Sequence, residues 1–104
     1  MLAHTVFFTL KDPTEQNIAH LVAQCDQWIK GEEGLLYYAA GKRADVYQRP
    51  VNDQAFHVAL ITVFASRAAH DAYQATSVRH KTFIEANKPT WASLRVFDAD
   101  IEVC

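Results

Sequence analysis

Cysteine, glycine and proline are scarce in this chain, and each shortage closes off a class of protein. The only two cysteines are Cys25, inside a helical pattern, and Cys104, the last residue. Two cysteines so placed do not make a disulfide framework. Both are read as free thiols, Cys25 as a buried helix residue, which points to the reducing cytoplasm. Charge of one sign is also lacking: the formal net charge is −2, with acids and bases scattered. No basic stripe of the kind nucleic acid requires is present. No segment approaches the ~20 apolar residues of a membrane span. Met1-Leu2-Ala3-His4 places no basic segment ahead of the first apolar stretch, which argues against a secretory signal. Gly31, Gly34 and Gly41 fall at turns or strand ends, so a phosphate-cradling loop is missing, as is a G-x-S-x-G elbow. No cofactor, nucleic acid or membrane partner is therefore assigned.

What is plentiful is apolar surface. Half of the 104 residues are hydrophobic, enough for a core without metal or disulfide staples, and the length fits one domain over residues 1–104. The apolar residues fall on both sides of the strands. In the segment from His57 to Phe64, Phe56, Val58, Leu60 and Phe64 are expected on one side, and Ala59, Ile61 and Val63 on the other. A sheet with one solvated face would alternate apolar and polar. Two helices can cover one face of a four-stranded sheet; a second copy of the chain, sheet against sheet, is the simplest cover for the other. Any pocket is then expected to be a feature of the dimer.

The order of elements follows from local signals. Ala3 to Leu10 is rich in strand formers. Asp12-Pro13-Thr14-Glu15 supplies an oxygen-bearing cap, proline at the first helical position and an acid in the first turn. Ile18, Leu21, Val22, Cys25, Trp28 and Ile29 then recur at helical spacing, and Gly31 and Gly34 end the helix. Leu35 to Gly41 reads as a second strand, Lys42 to Gln54 as a loop and Ala55 to Phe64 as a third strand. Ser66 caps a second helix whose inward stripe is Ala69, Ala72, Tyr73, Thr76, His80, Phe83, Ile84 and Asn87. Thr76-Ser77-Val78 has weak helix propensity and marks a break or turn. Pro89 closes the helical region, and Trp91 to Val103 supplies the last strand. The result is an α+β, ferredoxin-like βαββαβ half-barrel, with strands one and three expected as parallel central neighbours.

That arrangement brings His4 and His57 to one sheet edge, with His80 and Tyr73 approaching on the second helix. Such residues either pack as satisfied core groups or line a functional pocket. In a pocket, histidine supplies a proton acceptor near neutral pH, and tyrosine a hydroxyl for a carbonyl or developing enolate oxygen. His20 and His70 fit solvated helix positions. Three imidazoles could also hold zinc, but no tight H-x-x-x-H pair or orienting carboxylate is evident, so no metal is assigned. Trp28, Tyr37 and Tyr38 read as core or dimer packing, and Arg95 as the ion-pair partner of Asp98 or Asp100.

Four ordered fragments resemble one family: His4-Thr5-Val6-Phe7-Phe8, Phe56-His57-Val58-Ala59-Leu60, Tyr73 followed by His80, and Arg95-Val96-Phe97-Asp98. Across nearly its whole length the chain resembles the stress-responsive dimeric α/β-barrel (Dabb) family. That resemblance implies a homodimer whose two sheets close into a barrel. Most members have no established activity. One plant member is a polyketide cyclase that closes a poly-β-keto thioester by aldol-type condensation. By that resemblance His80 corresponds to the base, Tyr73 to its helper, and His4 and His57 to site-lining histidines. One departure stands out: the family's Tyr-x-x-His-Pro-x-His is here Tyr73-Gln74-Ala75-Thr76-Ser77-Val78-Arg79-His80, without His-Pro and one residue longer.

Two functions follow as expectations. One is a dimeric barrel binding a small hydrophobic or aromatic ligand without a reaction. The other is a lyase or cyclase in which His80 removes an acidic α-proton and Tyr73 holds the enolate oxygen. A cofactor-free monooxygenase is a distant third, because no residue pattern here demands oxygen chemistry.

Overall fold

A computed structural model describes residues 1–102. In chain order it contains β1 (Leu2–Leu10), α1 (Glu15–Trp28), β2 (Leu35–Lys42), β3 (Val58–Phe64), α2 (Arg67–Thr76), α3 (Val78–Asn87), a 3-10 turn (Lys88–Thr90) and β4 (Trp91–Asp100). Val103, expected within the last strand, and Cys104 lie outside the described residues.

The four strands form one sheet in the order β2-β3-β1-β4. Strand two flanks strand three and strand four flanks strand one. The expected parallel pairing of the central strands is wrong: β1 and β3 are antiparallel, with His4 opposite Thr62 and Phe8 opposite Val58. The reason is the chain's path. The α1 crossover leaves β2 pointing the same way as β1, and the direct connection to β3 then reverses the chain. Strands β2 and β4 are each antiparallel to their central neighbour as well.

Alternation puts Leu2, His4, Val6, Phe8 and Leu10 of β1 on the helix-covered face, with Val58, Leu60, Thr62 and Phe64 of β3 beside them. Leu21, Cys25 and Ile29 of α1 and Tyr73 and Phe83 of α2 and α3 close over these residues as one core. Full burial of side chains of this size contributes about 1.5–3 kcal/mol each.

Local details correct three expectations. Thr14, not Asp12, caps α1: its hydroxyl accepts from Asn17 N at 3.1 Å. Strand β3 starts at Val58, later than Ala55, because Arg43 Nη1 donates to the carbonyls of Gln54 (2.6 Å) and Phe56 (3.0 Å). Thr9 Oγ1 likewise takes Ala55 O at 2.5 Å. The Phe56 ring packs on Phe7, on the open side of the sheet, with centroids 5.0 Å apart. Gly34, at φ +81°, is where β2 begins under α2; a Cβ there would meet Ala69 Cβ at 2.7 Å.

The second helical region breaks at Ser77. Its extended backbone (ψ 118°) ends α2, and its hydroxyl accepts from His80 N at 3.1 Å to start α3. The break changes the inward face, so Tyr73, His80, Phe83 and Asn87 are buried while Ala72 and Thr76 are exposed.

The helices leave β4 uncovered on both sides: every β4 residue after Trp91 is exposed. On the side away from the helices, Ile61, Tyr37 and Phe97 are 41%, 56% and 53% exposed. Among the described residues no helix is long and apolar enough to cross a membrane.

Candidate functional site

Because α2 and α3 stop short of β4, a cleft of about 360 Å³ opens between them and the sheet. Its lining residues come from one chain. Val6, Phe8 and Leu60 make its floor, Phe83, Ile84 and Trp91 one wall, and Leu94 and Val96 of β4 the other. Its polar end carries His4, His70, Tyr73, Gln74, His80 and Asp98.

His4 sits at the centre of that end. Its backbone carbonyl accepts from Thr62 Oγ1 at 2.5 Å, which ties β1 to β3 at this level. Asp98 stands opposite it on β4, and His4 Nδ1 donates to Asp98 Oδ1 at 2.5 Å. Gln74 Nε2 lies 3.3 Å from His4 Nε2, the nitrogen left as acceptor when Nδ1 carries the hydrogen.

Tyr73 and His80 meet by stacking. Their rings lie 4.2 Å apart at 36°, and Phe64 packs on Tyr73 from beneath at 5.0 Å. With the helical region broken at Ser77, the two side chains share one cleft. Burial, then repulsion by His4 and His70, holds the His80 imidazole below its ordinary pKa. That shift favours the neutral ring, and its buried Nδ1 has no hydrogen-bond partner among the described residues. Burial and the nearby Glu32 raise the Tyr73 phenol, so its hydroxyl keeps its proton and remains a donor.

The corner carrying His80 is held by Arg79. Its Nη2 donates to Gln27 O at 2.9 Å and Lys30 O at 2.8 Å, and its Nε to Trp28 O at 3.2 Å. The guanidinium thereby satisfies the open carbonyls at the end of α1.

His57 does not join this group. Antiparallel pairing puts it at the far end of β1, where its N–H donates to Phe8 O at 2.8 Å and its Nδ1 accepts from Leu10 N at 3.0 Å. Six residues of strand separate Leu10 from His4, roughly 20 Å. His57 closes the irregular end of the β1–β4 ladder, where the register shifts between Thr9 and Leu10.

His70, expected in solvent, is instead half-buried, with its ring centroid 4.9 Å from that of His4. It lies one helical turn before Tyr73, on the same face. Arg95 was expected to pair with Asp98 or Asp100, but residues three or five apart on a strand point to opposite sides of the sheet. Arg95 pairs with Asp53 at 2.5 Å, and Asp100 pairs with Arg67. Cys25 is a free thiol on the core side of α1, pushed up to about 12 by burial. Tyr38 donates to Asp26 at 2.5 Å.

Residues 2–101 match the model of the stress responsive A/B barrel domain. No curated protein matches the chain. Among solved structures, a Dabb family protein with a ferredoxin-like fold from Mesorhizobium loti is 19% identical, with a TM-score of 0.78 over 98% of this chain and 97% of that one. A dimeric ferredoxin-like protein of unknown function from Thermobifida fusca is 15% identical, with a TM-score of 0.77 over 96% and 90%. A hydroxynitrile lyase from Passiflora edulis is 17% identical, with a TM-score of 0.75 over 97% and 93%. At these identities the likeness to solved structures shows the fold.

Proposed function

The chain belongs to the stress-responsive A/B barrel (Dabb) family, and from that premise we propose that it is a homodimer whose cleft binds a small, largely apolar organic molecule through a carbonyl or hydroxyl group. The observation that carries this is the cleft itself: its apolar walls share it with Tyr73 and His80, whose rings stack, and the buried His80 Nδ1 has no hydrogen-bond partner among the described residues. A buried polar atom without a partner costs about 1–3 kcal/mol. A ligand oxygen that satisfies it recovers that cost, while the walls bury the ligand's apolar body. Two copies pair through the open sheet face that carries Ile61, Tyr37 and Phe97, since an apolar surface of this kind favours a like surface over water. The free thiol of Cys25 agrees with a cytoplasmic setting.

Benzoylacetone, an aromatic 1,3-diketone, is a suitable probe, and Trp91 in the cleft wall reports its arrival. Saturable quenching that weakens at least tenfold in His80→Ala and Tyr73→Phe is expected. No saturable response at millimolar probe, or equal affinity in all three proteins, would refute the binding site.

A second reading has its own support, the lowered pKa of His80, which favours its neutral ring. A neutral imidazole with an unprotonated nitrogen can remove the acidic α-proton of a β-keto substrate, while the protonated Tyr73 hydroxyl stabilises the enolate oxygen. His4, set by Asp98, lines the same end. Cyclisation of a β-polyketide thioester should then be lost in His80→Ala; equal product from variant and wild type would dismiss His80 as base.

A further inference from the structure

We propose that His4, His70 and Asp98 form a binding site for one divalent transition-metal ion at the polar end of the cleft. One ligand atom from each of the three lies within 4.8 Å of the other two. They come from β1, α2 and β4, so the grouping is a product of the fold rather than of a local motif.

The His70 ring carries the argument. Its Nδ1 lies 3.2 Å from Asp71 Oδ1; with the ring hydrogen on Nδ1 this contact is a hydrogen bond, and Nε2 is left as an acceptor. That atom is buried and has no hydrogen-bond partner among the described residues. It faces Asp98 Oδ1 at 3.8 Å, a separation too wide for a hydrogen bond. In that tautomer two acceptors face each other, an arrangement that a cation between them relieves. A carboxylate on the far nitrogen of an imidazole is also the usual support of a metal-binding histidine.

The distances suit an ion. Metal–ligand bonds of about 2.0–2.2 Å place neighbouring ligand atoms roughly 3–3.5 Å apart. Asp98 Oδ1 lies 2.5 Å from His4 Nδ1 and 3.8 Å from His70 Nε2, so those separations bracket the required value. A movement of the carboxylate by roughly half an ångström brings both near it, and rotation of the two imidazoles, whose ligand atoms lie within 4.8 Å, closes the third side. On binding, the hydrogen shared by His4 Nδ1 and Asp98 leaves as a proton to solvent. His4 Nε2 then carries the ring hydrogen and donates to Gln74, whose amide turns to present its oxygen. Two imidazoles and one carboxylate suit Zn²⁺, Co²⁺, Ni²⁺ or Fe²⁺ rather than the all-oxygen preference of Mg²⁺ and Ca²⁺. Three protein ligands leave a position for a water or a ligand oxygen, and all three residues line the cleft.

This site stands on its own geometry and does not depend on the organic ligand proposed above. The test is titration of metal-free protein with Co²⁺, followed by its visible absorption, and displacement by Zn²⁺. One ion per chain is expected, with a d–d spectrum of low-symmetry nitrogen and oxygen coordination. His70→Ala should weaken binding at least tenfold. Asp71→Asn, a change at an exposed position that leaves the core intact, should weaken it about 10–100-fold. His20→Ala should leave it unchanged. Failure of millimolar Co²⁺ and Zn²⁺ to bind would overturn the site. So would binding that survives both His70→Ala and Asp71→Asn, since the ion would then sit elsewhere.

Discussion

Replacing Ile61 by aspartate places a charge in the middle of the open sheet face without touching the helix-covered core. Ile61 lies on β3 opposite Thr5, pointing away from the helices, and is 41% exposed in the single chain. Full burial of such a side chain is worth about 1.5–3 kcal/mol, so covering the exposed fraction is worth roughly 0.6–1.2 kcal/mol. In a symmetric pair each substitution counts twice, which makes the lost contact about 1–2.5 kcal/mol, or roughly five- to seventyfold in the dissociation constant. Two unpaired carboxylates forced out of water against each other add several kcal/mol. Sedimentation equilibrium should therefore show a wild-type dimer at micromolar protein and an Ile61→Asp monomer with unchanged far-UV circular dichroism. Val46→Asp, at an exposed loop position, should remain dimeric. A wild-type monomer, or an Ile61→Asp dimer as tight as wild type, would refute the sheet-to-sheet interface.

Three further outcomes test how the cleft is built. Phe64→Ala removes a fully buried ring that packs on Tyr73 and lies beside His4 and His70; urea unfolding should show a loss of about 3–5 kcal/mol. Ser77→Ala deletes the cap of α3, whose hydroxyl accepts from His80 N, and should cost about 1 kcal/mol, while Ser77→Asp should restore most of it. The lowered pKa of His80 makes the unfolded chain the better proton binder. Stability at pH 7 is therefore full, falls as pH drops below about 6.5, and levels off below the folded-state value. The His80 share of that slope cannot exceed about 1.4 kcal/mol per pH unit, and it should vanish in His80→Leu; an unchanged slope in that variant would show that His80 is not the group responsible.

Much of this architecture is legible in the residues. The helix stripes, the two-sided strands and the weak Thr76-Ser77-Val78 segment give the element order and the break that sets His80. Strand direction is not written in alternation, because a period of two is the same for either sense. Only tracing the chain through the β2–β3 connection makes β1 and β3 antiparallel, and that sense alone moves His57 out of the cleft. Asp98 was recoverable: it shares a face with Leu94 and Val96, which excludes Arg95 as its partner, and it falls in register with His4. His70 was recoverable too, being one turn from Tyr73. What the residues do not announce is that β4 stays uncovered, since this depends on how far α2 and α3 reach across the sheet.

The central claim is that the inward nitrogen of His80 receives the polar group of a cleft-bound organic molecule. Imidazole ¹⁵N resonances, followed while benzoylacetone is added, test it most directly. The account predicts a saturable shift of His80 Nδ1, with His20 and His57 stationary. A bound ligand that leaves the His80 resonance in place would contradict it.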